Sequence, residues 1–230
     1  MIKKINSPTL IWLLLISIII NCILIAIFAK RKLDFIAQQK ATEKSIKYMN
    51  DRQSIYEKLP IDSSDIVFIG DSQTQRFPVS EFFDNFKVKN RGIEGDNTFG
   101  VLNRIDPIII SHPSKIFVQV GINDLLREGQ NVNKALVNFN LIVSRIIKES
   151  PKTNIYVGNV FPTNHVSADS ILKYNVGLKT ISKKHNLTFI DVYESFSSNG
   201  SLNPKFDCGD GLHLNGNGYV LWKKILSNYL

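Results

Sequence analysis

A chain of 230 residues with 43% hydrophobic content is long enough for one domain with a substantial core plus an appendage. Its formal net charge of +8 raises the question of a nucleic-acid partner, but residues 1–60 hold 10 Lys/Arg against 4 Asp/Glu, and residues 61–230 hold 18 against 16. The basic excess therefore belongs to an N-terminal region, where it meets anionic lipid headgroups, and the near-balanced remainder argues against nucleic-acid binding.

Residues 1–9 form a short tail, followed by Leu10 to Ala29, which is 20 residues without a charge. That is the length needed to cross a bilayer as a helix, and Trp12 sits near one end, where aromatic side chains favour the interface. A cleaved signal peptide is the competing reading, but no small-x-small cleavage site follows the run. Asn21 stands before Cys22 where a lipoprotein signal needs a small residue. The expectation is an uncleaved, single-pass anchor. Lys3 and Lys4 precede it while Lys30, Arg31 and Lys32 follow, so the positive-inside rule does not choose an orientation. Residues 30–60 read as a helical stalk, because Leu33 to Leu59 is rich in Lys, Gln, Glu and Ala and contains no Gly or Pro. With Cys22 in the span, Cys208 is the one cysteine of the remainder, so no internal disulfide reports the compartment.

From residue 61 to 230 the pattern alternates. Strands are expected at Ile66–Ile69, Lys87–Asn90, Lys115–Val120, Asn154–Val160 and Thr188–Asp191, and helices at Gly100–Ser111, Val132–Glu149, Ala168–His185 and Gly216–Tyr229. Strands alternating with helices indicate βαβ units, hence an α/β three-layer sandwich around a mainly parallel five-stranded sheet. In such sheets ligands bind outside the carboxyl ends of the strands.

Chemistry-bearing residues gather at those ends. "IVFI" runs into Gly70-Asp71-Ser72-Gln73-Thr74, the second strand into "NRGIEGDNT", the third into "VGIND", and "DCGDGLHLNGNGY" precedes the last helix. Taken singly, each is a loop or a cap, since Asp and Ser are favoured N-caps. Together they supply a nucleophile, a histidine with an acid three residues before it, and donors on two other loops, the parts of a hydrolase with a covalent acyl intermediate. The remaining histidines read otherwise: His112 as a helix cap, His165 as a surface-loop residue rather than a cleft residue, His185 as a solvated helix end. Asp71 is read as organising its turn, and Cys208 as a small packed residue.

In these four blocks and their order, residues 61–230 resemble the SGNH, or GDSL, hydrolase family, in wording closer to its acetylhydrolase-like branch than to the secreted lipases. The resemblance implies a flavodoxin-like fold. It makes Ser72 the nucleophile, His213 the base and Asp210, rather than its rival Asp207, the acid. The oxyanion hole falls to the backbone N–H groups of Ser72 and Gly95 with the Asn123 side-chain amide, and no cofactor or metal is called for. The function it implies is a serine esterase. A tethered domain suits a substrate held near the membrane, so the expected substrate is an O-acetylated cell-envelope glycan, which places the domain outside the cytoplasm. A lysophospholipase or thioesterase is the second reading, and a catalytically silent glycan-binding scaffold on the same fold the third. Oligomeric state is not legible.

Overall fold

The computed structural model describes residues 7–127 and 131–230. Most of the tail assigned to residues 1–9, with Lys3 and Lys4, lies outside the described residues, as do Glu128 and Gly129 of the loop after Asn123.

The elements in chain order are α1 (Ser7–Lys58), β1 (Ile66–Gly70), α2 (Ser72–Gln75), α3 (Val79–Phe82), β2 (Val88–Gly92), α4 (Thr98–Arg104), α5 (Asp106–Ile109), β3 (Lys115–Gln119), α6 (Ile122–Arg127), α7 (Val132–Glu149), β4 (Asn154–Gly158), α8 (Ala168–Lys184), β5 (Thr188–Ile190), α9 (Tyr193–Phe196), β6 (Ser197–Ser198), β7 (Ser201–Leu202) and α10 (Gly216–Leu226). The chain divides into two compact units at Tyr48/Met49. The first is helical throughout its described residues, and Leu10 to Phe28 keep their large apolar side chains exposed. By length and composition this helix can cross a membrane. Residues 49–58, the last turns of α1, belong to the second unit.

In that second unit the five main strands are all parallel, in the order β2-β1-β3-β4-β5, so β1 lies between β2 and β3. Because side chains alternate across a sheet, each strand feeds two cores. Val67, Ile69, Ile116, Val118, Ile155 and Val157 enter one, with Phe139, Ile142 and Ile146 of α7 and Tyr174 and Leu178 of α8. Phe68, Phe117 and Tyr156 point the other way. They stand in register across β1, β3 and β4, and their rings stack at 4.5 Å for both neighbouring pairs. Trp222 of α10 and Phe77 complete that side, stacked at 4.9 Å.

The α7 helix runs over the residues its sequence predicts. Asn131 caps it by accepting from Lys134 N at 3.0 Å, and buried Val132, Ala135, Phe139, Ile142, Val143 and Ile146 follow a helical stripe. The helix expected at Gly100–Ser111 is instead two, α4 and α5, broken at Ile105. Pro107 explains the break, because it has no N–H to continue a ladder yet suits the first turn of a new helix. The last helix ends at Leu226 rather than Tyr229.

Candidate active site

The register of the sheet sets the site. Gly70 at the end of β1 pairs with Gly92 of β2 and with Gln119 of β3, so three loops leave the sheet side by side at the same level. They carry Ser72, Gly95 and Asn123. Gly70 and Gly92 are both needed for close approach: a Cβ on Gly70 would meet Thr74 and the Gln119 carbonyl, and one on Gly92 would meet the backbone of Thr74 and Gln75.

Ser72 opens α2 and is almost fully buried. Asp71 is the N-cap, accepting from Gln73 N at 3.0 Å, as the sequence reading holds. Ser72 Oγ lies 2.9 Å from His213 Nε2, and His213 Nδ1 lies 2.6 Å from Asp210 Oδ2. A carboxylate only accepts, so the Nδ1 contact places the imidazole proton on Nδ1 and leaves Nε2 as the acceptor facing Ser72. The other Asp210 oxygen accepts from His213 N at 2.8 Å and Leu212 N at 2.9 Å. Burial pushes the Asp210 carboxyl up, but the hydrogen bonds from His213 and Leu212 outweigh it and hold the group well below the usual carboxylate range. Asp207, the rival acid, is spent on its own loop, accepting from Gly209 N at 2.8 Å and Gly211 N at 3.0 Å.

The second and third loops are tied together. Asn123 Nδ2 donates to Asp96 O at 2.8 Å. Gly95, the residue before Asp96, has φ +79°, a conformation that a side chain disfavours. Asp96 is held in turn by Arg104 Nε at 2.6 Å, and Arg104 also donates to Arg91 O at 2.8 Å and Gly70 O at 3.1 Å. One buried guanidinium therefore joins the ends of β1 and β2 to the glycine loop. Asp124, beside Asn123, accepts from Thr98 N at 2.9 Å and Thr98 Oγ1 at 2.5 Å, fixing the start of α4.

Several supporting residues escape a sequence reading. Gln73 Nε2 donates to Leu212 O at 2.5 Å, and Tyr219 OH donates to Gln73 O at 3.1 Å, so the nucleophile loop grips the histidine loop and α10. His165, expected on a surface loop, is exposed but donates from Nε2 to Asp210 O at 2.6 Å. Its position after "NVFPTN" at the end of β4 was the available signal. Cys208 is exposed rather than packed. Its N–H bonds His213 O at 3.0 Å and the turn through Gly209 and Gly211 leaves the thiol outside. His185 is the half-buried C-cap of α8, 3.0 Å from Asn140 Oδ1, and His112 bonds Ser150 Oγ at 3.1 Å. Asp207, Cys208 and Asp210 bring three possible ligand atoms within 4.8 Å, but both carboxylates are already committed to the loop contacts above. Beside the nucleophile loop, Asp71, Gln73, Gln119, Phe161 and Leu212 line a cavity of only about 10 Å³.

Solved structures share this fold. The fold matches a protein from Streptococcus pneumonia described as a platelet activating factor, with TM-score 0.76 and 27% identity over 84% of this chain and 98% of that one. It matches a protein from Bacteroides fragilis described as an acylhydrolase, with TM-score 0.67 and 22% identity over 79% and 92%. A carbohydrate esterase family 3 structure from Talaromyces cellulolyticus aligns with TM-score 0.62 and 15% identity over 72% and 95%. No curated protein matches the chain. Residues 68–221, a stretch holding all four blocks, match the GDSL-like lipase/acylhydrolase family, and the chain therefore belongs to that family of serine ester hydrolases.

Proposed function

We propose that residues 61–230 act as an esterase in which Ser72 is the nucleophile, His213 the general base and Asp210 the acid that orients it. The observation that carries this reading is the continuous chain from Ser72 Oγ to His213 Nε2 at 2.9 Å and from His213 Nδ1 to Asp210 Oδ2 at 2.6 Å. His213 takes the Ser72 proton as Oγ attacks the ester carbonyl, and Asp210 stabilises the imidazolium that results. The Ser72 and Gly95 N–H groups and the Asn123 amide donate to the oxygen that becomes negative. His213 then returns the proton to the leaving alkoxide, and water, deprotonated by the same nitrogen, releases the acid from the acyl-enzyme.

The substrate we infer is an O-acetylated glycan of the cell envelope, with the protein held by a single-pass anchor (residues 10–29) and a stalk (residues 30–60) and its domain outside the cytoplasm. The loops around Ser72 support a short acyl group, since "GDSQTQRF", "GIEGDNTF" and "GINDLLREG" are short and mainly polar and offer few apolar residues to build a channel. The exposed apolar face of the N-terminal helix supports membrane attachment. A long acyl chain needs an apolar channel, in which each buried methylene adds about 0.8 kcal/mol. The test compares kcat/KM for acetyl, butyryl and octanoyl p-nitrophenyl esters. Efficiency should be highest for acetyl and absent in Ser72→Ala. A steady climb to octanoyl favours the lysophospholipase alternative instead, and activity retained in Ser72→Ala removes the serine mechanism.

A further inference from the structure

The uncharged run from Leu10 to Ala29 contains one carboxamide, Asn21, and it falls about 2 Å along the helix axis from the middle of the run. Asn21 Nδ2 donates to Ser17 O at 2.9 Å, with Ser17 Oγ at 3.5 Å. A carboxamide has two N–H donors and a carbonyl oxygen with two lone pairs. Among the described residues nothing donates to Asn21 Oδ1, and the side chain is exposed on the surface of α1. In water that oxygen is solvated. Lipid tails offer no donor, so an unmet polar group at the centre of a bilayer costs free energy. Asparagine is also too short to carry its amide from there to the headgroups, as a long Lys or Arg side chain can near a helix end.

The simplest account of Asn21 is the local one, an amide folded back on the preceding turn. That meets one N–H and leaves the oxygen unmet. The rest of its face is ordered as well. Leu10, Leu14, Ser17, Asn21, Leu24 and Phe28 follow one another at intervals of four, three, four, three and four, the heptad spacing of a coiled-coil seam. All six are exposed. The next place in the series falls on Arg31, so the seam stops where the span does. Lipid covers an apolar seam as readily as protein does. The amide at its centre is what asks for a specific partner.

We propose that this helix pairs with a second copy of the same chain along that seam, each Asn21 donating an N–H to Oδ1 of the other. A carboxamide both donates and accepts, so it is complementary to itself. Copies that share one orientation in the membrane meet in parallel, and a two-fold axis along the membrane normal sets the two Asn21 side chains face to face at one depth. Ser17, a small residue one turn away on the same face, lets the two backbones come close. The pairing rests on the reading of residues 10–29 as a membrane anchor.

The experiment first extracts membranes carrying the full chain with alkaline carbonate. Retention in the pellet is expected, and release removes the anchor reading and the pairing with it. In neutral detergent, sedimentation equilibrium at several protein-to-detergent ratios should then show a monomer–dimer equilibrium. Asn21→Leu should weaken it by about threefold to thirtyfold, the range of an interhelical amide bond in a membrane, and Asn21→Gln, which keeps the amide, should weaken it less. In a Cys22→Ser, Cys208→Ser background, Ser17→Cys should form a disulfide-linked dimer on oxidation in the membrane. Ile19→Cys, half a turn away on the opposite face, should not. Pellet-retained protein that is monomeric at every ratio, or a dimer whose affinity is unaltered in Asn21→Leu, overturns the pairing and leaves the anchor standing. Cross-linking through Ile19→Cys in place of Ser17→Cys overturns it too.

Discussion

One N–H of the Asn123 amide holds the Asp96 carbonyl at 2.8 Å, and an amide nitrogen carries two. The same side chain can therefore brace the glycine loop and still donate to a developing oxyanion. Because that donation matters most in the transition state, Asn123→Ala should lower kcat by about a hundredfold to a thousandfold with little change in KM. Steady-state kinetics on an acetyl ester decide it, and a raised KM at unchanged kcat counts against the role. Asp71 titrates in a way the sequence does not show. Burial, with Asp96 and Asp124 as nearby like charges, raises its carboxyl to about 7, although Gln73 N–H opposes this. Between an unfolded value near 4 and this folded value the native state binds more protons than the unfolded chain. Stability from this group is therefore present below about pH 4 and lost as pH rises to about 7, by at most about 4 kcal/mol. Asp71→Asn keeps the capping oxygen and removes the charge, so its unfolding free energy should fall less between pH 5 and pH 8 than that of the parent. An equal fall in both proteins, by urea unfolding, refutes it.

At the scale of elements, the sheet and the long helices were legible because each carries its own period: apolar runs for β1 and β3, a helical stripe for α7. The short helices α2, α3, α6 and α9 and the β6–β7 hairpin were not, since two to six residues are too few to show a period. The candidate triad was readable because its blocks lie at strand ends in a known order. What binds those blocks together was not, because Gln73 reaches Leu212 over 139 positions and Arg104 reaches Gly70 over 34. Arg104 is the clearest case. In sequence it is one more basic residue near the end of a helix, whereas in the fold it is 8% exposed, joins two strand ends and neutralises Asp96. Burial pushes the Asp96 carboxyl up and Arg104 pulls it back. Removing one partner of a buried pair leaves an uncompensated charge, so Arg104→Met should cost about 3–5 kcal/mol of unfolding free energy. Denaturant unfolding tests this, and a loss below about 1 kcal/mol, the worth of an exposed pair, means that Arg104 is not holding these strand ends.

The whole molecule combines an N-terminal helix with a domain that holds every residue of the proposed mechanism, and the border between them falls inside α1. Residues 49–58 pack with the domain. Tyr56 OH donates to Gly92 O at 2.9 Å, and the Arg52 and Arg91 guanidinium groups lie 4.9 and 5.2 Å from the centre of its ring. Gly92 is also the β2 residue paired with Gly70, so Tyr56 braces the sheet end from which the nucleophile loop departs. Two truncations should then behave differently. Removing residues 1–32 deletes the apolar run and leaves Tyr56 in place, which predicts a detergent-free protein with full kcat/KM on p-nitrophenyl acetate. Removing residues 1–60 also deletes Tyr56 and Arg52 and takes away the Leu59 and Pro60 carbonyls that Arg91 holds. That loses the Tyr56–Gly92 hydrogen bond, worth about 1 kcal/mol, and the Arg91–Tyr56 cation–π contact, worth about 0.5–2 kcal/mol, and it strands a buried guanidinium without the two carbonyls it held. The shorter protein should unfold at a lower urea midpoint and lose activity first on warming. Equal midpoints for the two truncations would show that the end of α1 contributes nothing to the fold. Loss of synthetic-ester activity in a folded protein lacking only residues 1–32 would show that the N-terminal helix does more than tether.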